Sequence, residues 1–310
     1  MITKVVAVVV TYNRKDLLLE CIRAVLRQKA VTTDVLVVDN ASTDGTATSI
    51  TELYGDDARV IYMNTGSNLG GAGGFSFGIN AAVNLGYDYL WIMDDDTIPD
   101  DTALYKLLNA ADILNDDFGF LSSFVKWTDG TPCVMNIPMI SPRWNKTDIR
   151  MQFDNRMIML ESASFVSMLI RTDVVKKVGL PIKEFIIWAD DAEYALRISK
   201  LYRSFYVYDS QVVHAIKNNI PASIVSEKDV DRLKRFQYLY RNKRYIARHN
   251  GLRAWVSYRL EIIQTLCRIL KGSKSMKLKK CGIVLSSSLS GFFFRPRIEK
   301  VHSYGDKQIA

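Results

Sequence analysis

Apolar runs alternate with helical patterns through the first 125 residues of the 310-residue chain. Runs rich in valine, isoleucine and leucine predict strands at 4–11, 34–39, 59–63, 88–93 and 119–125. Apolar residues at helical spacing predict helices between them, at 15–29, 44–54, 73–85 and 101–115. Because the first four strands are almost continuously apolar, both faces of their sheet should be covered. This pattern predicts an α/β fold with a mostly parallel, doubly wound sheet.

The pattern changes after residue 125. The next 35 residues or so contain three prolines and two tryptophans, and they predict an irregular insertion over 126–160. Regular structure is expected to resume with an apolar run at 163–171, a helix at 172–178, a helix beginning in "WADDAEY" and a strand near 205–215. From about residue 225 the chain is helical and basic. We therefore expect a sheet domain over 1–224 and a mostly helical region over 225–310.

Charge separates the same two parts. Residues 231–310 hold 19 Lys and Arg against 4 Asp and Glu, whereas the rest of the chain holds 22 against 29. This asymmetry indicates contact with an anionic surface, either lipid or nucleic acid. No apolar run reaches the roughly 18 residues of a spanning helix, and the cysteines show no ligand spacing. We expect a cytoplasmic protein that is peripheral on the inner face of the membrane. Contact with a second copy of the chain, as a homo-oligomer, is the alternative.

Polar segments follow the first four predicted strands. They are "TYNR" (11–14), "DNASTDGT" (39–46), "NTGSNLGGAGG" (64–74) and "DDD" (94–96). Ligands of open α/β sheets bind beyond the carboxyl ends of the strands. The sequence therefore predicts that these four segments line one binding site.

Three consecutive aspartates end the fourth predicted strand. Asp94 and Asp96 are two residues apart on an extended run, so their side chains should share one face. Two carboxylates at one point form an oxygen site for a divalent cation, which lets a diphosphate approach them. Asp95 should point away, toward a sugar hydroxyl or a backbone group. An ordinary acidic turn after a strand is the competing interpretation.

The other strand ends suggest contacts to a nucleotide. The Asp39 carboxylate can accept the imide N–H of a uracil or thymine ring, while Thr11 and the backbone around Tyr12 pack the base. A plain helix N-cap at Asp39 is the alternative. Glycines at 70, 71, 73 and 74 allow the backbone to approach a ligand closely. They do not form the GxGxxG dinucleotide fingerprint, and no Walker A sequence is present.

Two later features bear on catalysis. "WADDAEY" (188–194) places acidic residues at the start of a helix, where the helix dipole alone favours them. A sugar transfer also needs a carboxylate to take the proton of the acceptor hydroxyl, and a tryptophan offers a flat face to a sugar ring. His214 ends a short strand. As a third ligand beside two aspartates it would favour manganese over magnesium, because imidazole is softer than carboxylate.

Taken together, five motifs resemble glycosyltransferase family 2, the inverting enzymes of GT-A fold. These motifs are "VVVTYNR", "VVDNASTDGT", "NLGGAGGF", "WIMDDD" and "WADDAEY", which occur in the expected order over about residues 3–216. Within the family, the glycine motif, the triple aspartate, the acidic pair after a tryptophan and the later histidine are similar to bacterial galactofuranosyltransferases. The resemblance implies UDP-galactofuranose as donor and a growing, lipid-linked cell-surface glycan as acceptor.

The resemblance also implies roles for individual residues. Asp94, Asp96 and His214 become ligands of Mn²⁺ (or Mg²⁺), and Asp191 becomes the catalytic base. An alanine inserted after Trp188 leaves Asp190 as the alternative base. Trp188 and Glu193 are expected to bind the acceptor. The expected nucleotide contacts are Thr11, Tyr12, Arg14, Asp39, Asn68, Gly71, Asp94 and Asp95.

Three other functions compete with this interpretation. Many rhamnosyltransferases share the first four motifs, so a donor of dTDP-rhamnose is the nearest alternative. Nucleotidyltransferases also place carboxylates at strand ends, but "TYNRKD" lacks their glycine-rich loop. A nucleic-acid-binding protein would use the basic tail, yet nothing resembling a recognition module accompanies it. We therefore expect no nucleic-acid partner.

Overall fold

The computed structural model describes residues 3–303, and within them a ten-stranded sheet is flanked by helices. The strands are β1 (Val5–Thr11), β2 (Asp34–Asp39), β3 (Val60–Asn64), β4 (Tyr89–Asp94), β5 (Thr97–Pro99), β6 (Phe120–Lys126), β7 (Met139–Ile140), β8 (Met157–Ser162), β9 (Met168–Arg171) and β10 (Ser204–His214). The α-helices are α1 (Lys15–Leu26), α2 (Thr46–Tyr54), α3 (Gly70–Asn84), α4 (Ala103–Ile113), α5 (Ile149–Asp154), α6 (Thr172–Val178), α7 (Asp190–Ser199), α8 (Val230–His249), α9 (Gly251–Gly272) and α10 (Lys277–Phe293). The predicted α/β class is confirmed. Residues 304–310 of the predicted helical region lie outside the described residues.

The sheet follows the order β3-β2-β1-β4-β9-β6-β10-β8-β7. The first four strands in this order are parallel, and so are β6 and β10. Between these two groups, β9 runs antiparallel to both β4 and β6. The sheet is therefore mixed, and its parallel part consists mainly of the strands that the sequence predicted to be parallel.

Strand β1 shows why the first strands form a doubly covered sheet. All seven of its residues are buried. Val5, Ala7 and Val9 belong to the core that α1 and α4 cover, whereas Val6 and Val8 belong to the core under α3 and α7. Successive side chains of a strand point to opposite faces. A continuous valine run can therefore be buried only where helices cover both faces of the sheet.

Two local predictions need correction. The glycine-rich segment is not a loop before a helix, because α3 begins at Gly70 and the glycines form its first turn. The insertion over 126–160 is also more regular than expected. It contains β7, α5 and the start of β8, and β8 extends the sheet beside β10. Packing against the sheet edge supplies order that the irregular local sequence does not indicate.

The three C-terminal helices pack on one another. Leu233, Phe236 and Tyr240 of α8 meet Ile269 of α9 and Val284 of α10 in a small apolar cluster. Tyr245 of α8 also packs with its ring 5.5 Å from Phe185, on the sheet domain. Within residues 3–303, none of the helices combines the length and hydrophobicity required to cross a membrane.

Candidate active site

The triple aspartate lies in a tight turn between β4 and β5. Asp94 is the last residue of β4, and Asp95 and Asp96 form the turn that leads into β5. The predicted position of Asp94 and Asp96 on one face of an extended run is wrong, because the strand ends at Asp94. The turn itself, and not strand alternation, brings their carboxylates together.

His214 reaches this turn through strand pairing. β5 runs antiparallel to β10, so that Thr97 pairs with His214, the last residue of β10. The Ala215 N–H continues this contact and donates to the Asp96 carbonyl oxygen over 2.8 Å. Asp94, Asp96 and His214 each then offer a ligand atom within 4.8 Å of the other two. Residues 120 positions apart in the sequence thus meet because β5 ends beside β10.

The donor set of this cluster fits a divalent cation. His214 Nε2 lies 3.1 Å from Asp96 Oδ1. That buried oxygen nevertheless has no hydrogen-bond partner among the described residues. The two atoms therefore lie at ion-pair distance without hydrogen-bond geometry, and both border the space between the three ligand atoms. Two carboxylates and one imidazole around such a space suit Mn²⁺ or Mg²⁺.

Asn136 orients the imidazole and was missed by the sequence analysis. Its Oδ1 accepts a hydrogen bond from His214 Nδ1 over 2.8 Å, while its Nδ2 donates to Ser164 Oγ over the same distance. A proton on Nδ1 leaves the Nε2 lone pair free for a metal ion. Asn136 ends a short 3₁₀ helix, Val134–Asn136, in the insertion. Nothing in the local sequence distinguishes it from other polar residues there.

The acidic residues of the cluster perturb one another. Burial, followed by the charge of Asp96, raises the pKa of Asp94 to about 7. Burial opposes the ionisation of Asp96, but its contact with His214 outweighs this effect and lowers the pKa of Asp96. Burial alone would lower the pKa of His214, whereas Asp96 raises it to about 10. Without a cation, these shifts favour an ionised Asp96 beside a protonated His214.

Asp95 is not one of the three clustered ligands, and it bonds to side chains at the end of β1 and in the segment after it, whereas a sugar hydroxyl or a backbone group was the expected partner. Its carboxylate accepts hydrogen bonds from Thr11 Oγ1 at 2.8 Å and from an Arg14 terminal nitrogen at 3.3 Å. The same Arg14 nitrogen lies 2.6 Å from Asp96 Oδ2. Arg14 is half exposed. Its guanidinium therefore bridges the aspartates while part of it still faces solvent.

The expected base-binding residues differ in their accessibility. Tyr12 is 44% exposed, whereas Thr11 is buried and its hydroxyl donates a hydrogen bond to the Asp95 carboxylate. Asp39 is completely buried, and its two oxygens accept hydrogen bonds from the Ser42 N–H at 2.8 Å and the Tyr62 hydroxyl at 2.6 Å. The edge of a base can reach Asp39 only if one of these partners moves. Tyr62, on β3, is a second residue that sequence reasoning missed.

The glycine-rich start of α3 contacts the segment before α7. Asn68 Oδ1 accepts from the Gly70 N–H at 2.9 Å, which stabilises the turn into the helix. Gly70 has a φ of +74°, and a Cβ atom there would lie 2.4 Å from the Ile186 carbonyl oxygen. Gly71 has only a distant contact, at 4.0 Å, to the same oxygen. Gly70 therefore allows close packing within the protein, whereas the space beside Gly71 is open to a ligand.

The two acidic residues at the start of α7 differ in environment. Asp190 is only 8% exposed, and burial, then the charge of Asp191, raises its pKa well above the usual range. Asp94 adds to this effect, so Asp190 lies within electrostatic reach of the triple aspartate. Asp191 is partly exposed, and burial raises its pKa to about 6. Asp191 is therefore the acid of this pair that is both accessible and ionised near neutral pH.

A cavity of about 430 Å³ opens beside Asp191. It is lined by both Asp191 and Asn136, and therefore joins the start of α7 to the partner of His214. Three residues of its apolar wall are markedly exposed, and Lys243 of α8, whose ammonium pairs with Glu261 over 2.5 Å, also lines it. The exposed residues are Met135, Ile137 and Met139.

The structure places the two expected acceptor residues differently. Trp188 lines this cavity, although its ring also packs 4.9 Å from Phe236 of α8. Glu193 does not belong to the cavity lining. Its carboxylate forms a two-point ion pair with Arg197, with contacts of 3.1 and 2.9 Å, and Arg197 in turn donates to the carbonyl oxygens of Val178 and Leu180. This pairing makes Glu193 a support of α7 in the present geometry.

Comparison with known proteins identifies relatives of this chain. A family model described as "Glycosyl transferase family 2" matches residues 6–179. Galactofuranosyltransferase GlfT1 of Mycolicibacterium smegmatis (strain ATCC 700084 / mc(2)155) is 29% identical over 262 residues, which are 80% of this chain and 84% of the relative. Galactofuranosyltransferase GlfT1 of Mycobacterium tuberculosis (strain CDC 1551 / Oshkosh) is 28% identical over 265 residues, with 82% and 85% coverage.

Solved structures of low sequence identity share the fold. TarS of S. aureus superposes with a TM-score of 0.53 at 19% identity, covering 94% of this chain and 44% of TarS. The present chain therefore corresponds to less than half of that protein. A structure described as GalNAc-T7 with UDP, GalNAc and Mn²⁺ superposes with a TM-score of 0.58 at 13% identity, covering 79% and 48%. At these sequence identities, the two superpositions show a shared GT-A-like fold and nothing more specific.

Proposed function

The chain belongs to glycosyl transferase family 2, and we propose that it transfers galactofuranose from UDP-galactofuranose to a hydroxyl group of a growing, lipid-linked cell-surface glycan. The family and the enzyme class are those predicted from the sequence. The relatives named galactofuranosyltransferases, at 28–29% identity over four-fifths of the chain, support the donor sugar. The observation that carries the proposal is that Asp94, Asp96 and His214 form one cluster, while Asn136, the hydrogen-bond partner of His214, lines the same cavity as Asp191.

Asp94, Asp96 and His214 would hold a cation at the donor diphosphate. A bound Mn²⁺ or Mg²⁺ would neutralise the charge that develops on the departing nucleoside diphosphate. Two features of the chain support this assignment: the buried Asp96 Oδ1, which has no hydrogen-bond partner among the described residues, and the His214 ring that Asn136 fixes with Nε2 toward the cluster. A neighbour of the same fold whose description includes UDP and Mn²⁺ adds support.

The nucleotide would lie along the ends of β1 and β2. The exposed ring of Tyr12 would stack on the uracil. Asp39 would accept the imide N–H once its hydrogen bond from the Tyr62 hydroxyl is broken. Thr11 and Asp95 would support the bound nucleotide from below, because the hydrogen bond from the Thr11 hydroxyl to Asp95 holds both side chains in place. Arg14 carries a positive charge beside the triple aspartate and would contact the diphosphate.

The start of the glycine-rich helix would complete the donor site. Gly71 leaves space in which a ligand can approach the backbone, and Asn68 holds the turn that presents it. Backbone N–H groups at a helix N-terminus favour anionic oxygens. This arrangement would place the α3 terminus beside the donor sugar or its phosphates.

Asp191 would act as the base in a single displacement. Its carboxylate takes the proton of the acceptor hydroxyl while the hydroxyl oxygen attacks the anomeric carbon. The bond between that carbon and the diphosphate oxygen breaks with its electron pair, and the configuration inverts. Asp191 suits this role better than Asp190, because it lines the cavity and its pKa of about 6 leaves it ionised at neutral pH. Asp190 is buried and would hold its proton.

The cavity beside Asp191 would receive the acceptor. Trp188 would contribute a flat apolar face for a sugar ring, and the ion pair of Lys243 with Glu261 would contribute a polar group. The exposed apolar residues of the cavity lining, Met135, Ile137 and Met139, suit the lipid portion of an amphiphilic acceptor. Glu193 would support Asp190 and Asp191 indirectly, through its ion pair with Arg197 across one turn of α7.

We further propose that residues 225–310 bind the anionic inner surface of the membrane, with the catalytic domain over 1–224 in the cytoplasm. The outward face of α9 carries a stripe of exposed apolar residues at helical spacing, flanked by arginine and lysine. The stripe consists of Leu252, Val256, Leu260, Ile263 and Leu270. Helix α10 adds a second exposed apolar row, made of Leu278, Leu285, Leu289 and Phe293. A basic amphipathic surface of this kind binds anionic lipid, and its net positive charge disfavours self-association.

A donor panel tests the proposed reaction. The full chain would be assayed with Mn²⁺ and UDP-galactofuranose, UDP-galactopyranose, UDP-glucose or dTDP-rhamnose, with Asp191→Asn as the inactive control. We expect kcat/KM to be highest for UDP-galactofuranose, and NMR of the product to show an inverted anomeric centre. A preference for dTDP-rhamnose would establish the rhamnosyltransferase alternative instead. If the protein neither hydrolyses nor transfers the sugar of any of the four donors, the proposal is refuted.

A further inference from the structure

The segment that leads into α7 has an unusual backbone. Ile186, Trp188 and Ala189 all have a φ of +66°. Side chains beyond glycine rarely adopt this left-handed region, and a β-branched residue such as isoleucine does so least readily. Such backbone persists only where the surrounding structure holds it in place. The 184–189 loop must therefore be held from outside.

Helix α8 supplies that support. Asn242 has no exposed surface. Its side-chain Nδ2 faces three carbonyl oxygens of the loop, those of Phe185 at 3.0 Å, Ile187 at 3.3 Å and Trp188 at 2.9 Å. Only a nitrogen donor can occupy this position, because an oxygen would repel all three carbonyl groups.

Arg241 extends the same contact. Its guanidinium donates to the Glu184 carbonyl oxygen, and its Nε donates to Asn242 Oδ1 over 3.1 Å. The guanidinium also lies 4.0 Å from the centre of the Phe294 ring, beyond the end of α10. We call Arg241 and Asn242 the α8 latch. Through it, the C-terminal helices bind four of the carbonyl groups that precede α7.

The opposite side of the loop rests on the glycine-rich start of α3. The Ala72 N–H donates to the Ile186 carbonyl oxygen over 3.1 Å. Gly70 makes room for that oxygen, since a Cβ atom would lie 2.4 Å from it. The loop is thus fixed between the helix assigned to the donor and the α8 latch. Its end positions Asp190 and Asp191.

We propose that Asn242 is a positioning residue for sugar transfer, holding the 184–189 loop so that Asp191 faces the acceptor cavity. The C-terminal helices are then part of the catalytic apparatus, in addition to any contact with a membrane. This inference rests on the proposed function, since it gives Asn242 its role through Asp191. A displaced catalytic group can cost about 10²-fold in rate even when the change is remote from the reacting atoms.

Two variants of Asn242 and one control separate positioning from folding. Asn242→Ala removes the donor, and Asn242→Asp keeps the shape but presents oxygen to the carbonyl groups. Asn250→Ala is the matched control, because the Asn250 side chain, directly after α8, donates to the Ile246 carbonyl oxygen and to no group of the 184–189 loop among the described residues. If an Asn242 variant yields too little folded protein, Arg241→Gln removes the guanidinium contacts of the latch, to the Glu184 carbonyl oxygen, Asn242 Oδ1 and the Phe294 ring, and leaves Asn242 itself in place.

The readouts are kinetic and structural. At temperatures where all variants are folded, we expect both Asn242 variants to lower kcat for transfer by about 10²-fold, and Arg241→Gln to lower it less. The affinity for UDP with Mn²⁺ should stay within about twofold, and the acid limb of the pH–kcat profile should shift. Amide hydrogen exchange of a peptide covering 184–193 should be faster in these variants and unchanged in Asn250→Ala.

The outcomes distinguish this inference from the proposed function. Unchanged exchange together with unchanged kcat in folded Asn242 variants would overturn the α8 latch. Loss of thermal stability with an unaltered kcat and pH profile would reduce Asn242 to a structural role and would also overturn it. A wild-type chain that transfers no sugar would refute the proposed function, whereas the exchange measurement would still test the latch without any substrate.

Discussion

Asn136 Oδ1 accepts a hydrogen bond from His214 Nδ1 over 2.8 Å, and this contact leaves His214 Nε2 facing Asp96. Partners of this kind fix the ring of a metal-ligating histidine, and their loss typically costs 10–100-fold in metal affinity. We expect Asn136→Ala to weaken Mn²⁺-dependent binding of UDP by about that factor, measured by titration calorimetry. Asn145→Ala, an exposed residue of the same insertion, is the control. Equal affinities for the two variants would show that His214 needs no such orientation.

Removal of the divalent cation should abolish transfer. We expect a chelator to reduce activity to background and added Mn²⁺ to restore it, because carboxylates and diphosphate repel one another without a cation. Asp94→Asn and Asp96→Asn should each weaken Mn²⁺-dependent UDP binding by at least about tenfold. Transfer that continues at its full rate in a chelator would exclude the proposed metal site.

Substitution of the base should separate binding from chemistry. We expect Asp191→Asn to lower kcat by about 10²–10⁴-fold while UDP affinity changes little. Asp190→Asn should be milder if Asp190 keeps its proton. A parallel loss of nucleotide binding and transfer in Asp191→Asn would argue against its role as base.

Asp191→Asn should also be the more stable protein. Burial raises the pKa of Asp191 to about 6, so the fold disfavours its ionised form. The variant should therefore gain free energy of unfolding above pH 6. Because the side chain is partly exposed and solvent screens its charge, we expect this gain to be only about 1–2 kcal/mol. The gain should fade as the pH falls toward the unfolded value near 4. Denaturant titrations at pH 7.5 and pH 4.5 measure it, and a variant that is less stable at pH 7.5 would contradict this expectation.

The same pKa sets the acid limb of the rate profile. A carboxylate base works only when ionised, so kcat should fall below pH 6 by about tenfold per pH unit and stay level above it. The measurement is kcat at saturating donor and Mn²⁺ between pH 5 and pH 8, with UDP affinity determined at each pH as the control. A constant kcat down to pH 5 would mean that the base has an ordinary pKa.

The apolar stripe of α9 should determine membrane binding. We expect Leu260→Asp with Ile263→Asp to reduce flotation with anionic vesicles strongly, and neutral vesicles to bind little of either protein. Leu201→Asp is the control, because Leu201 is 60% exposed but lies after α7 on the sheet domain. Binding should weaken with salt, since part of it is electrostatic. Undiminished flotation would remove this face from consideration, and a dimer that dissociates in the double variant would assign it to a subunit contact.

Several features follow from the sequence because their causes are local. The strand Val5–Thr11 is buried on both faces as its valine run predicts, and the helix over 172–178 has the predicted bounds. The strands at 34–39 and near 205–215 are also confirmed, to within one residue at each end. Periodicity alone specifies these elements. The resemblance of the motifs to glycosyltransferase family 2 is confirmed as well.

The assembly of the site depends on contacts that no local pattern records. His214 joins the triple aspartate only because β5 pairs with β10, and β5 is three residues long, too short to predict. The roles of Asn136, Tyr62 and Asn242 rest on partners 78, 23 and 54–57 residues away in sequence. Their residue types are common on any polar surface. Their position could not be predicted.

By itself, the sequence determined the family, the order of the first strands and helices, and the acidic chemistry at the strand ends, because period and motif are properties of neighbouring residues. Only the tertiary structure decided which carboxylate is accessible and which is buried, as the contrast between Asp191 and Asp190 shows. The physical reason is that burial and hydrogen-bond partners, which set ionisation and orientation, come from segments that meet only when the chain folds.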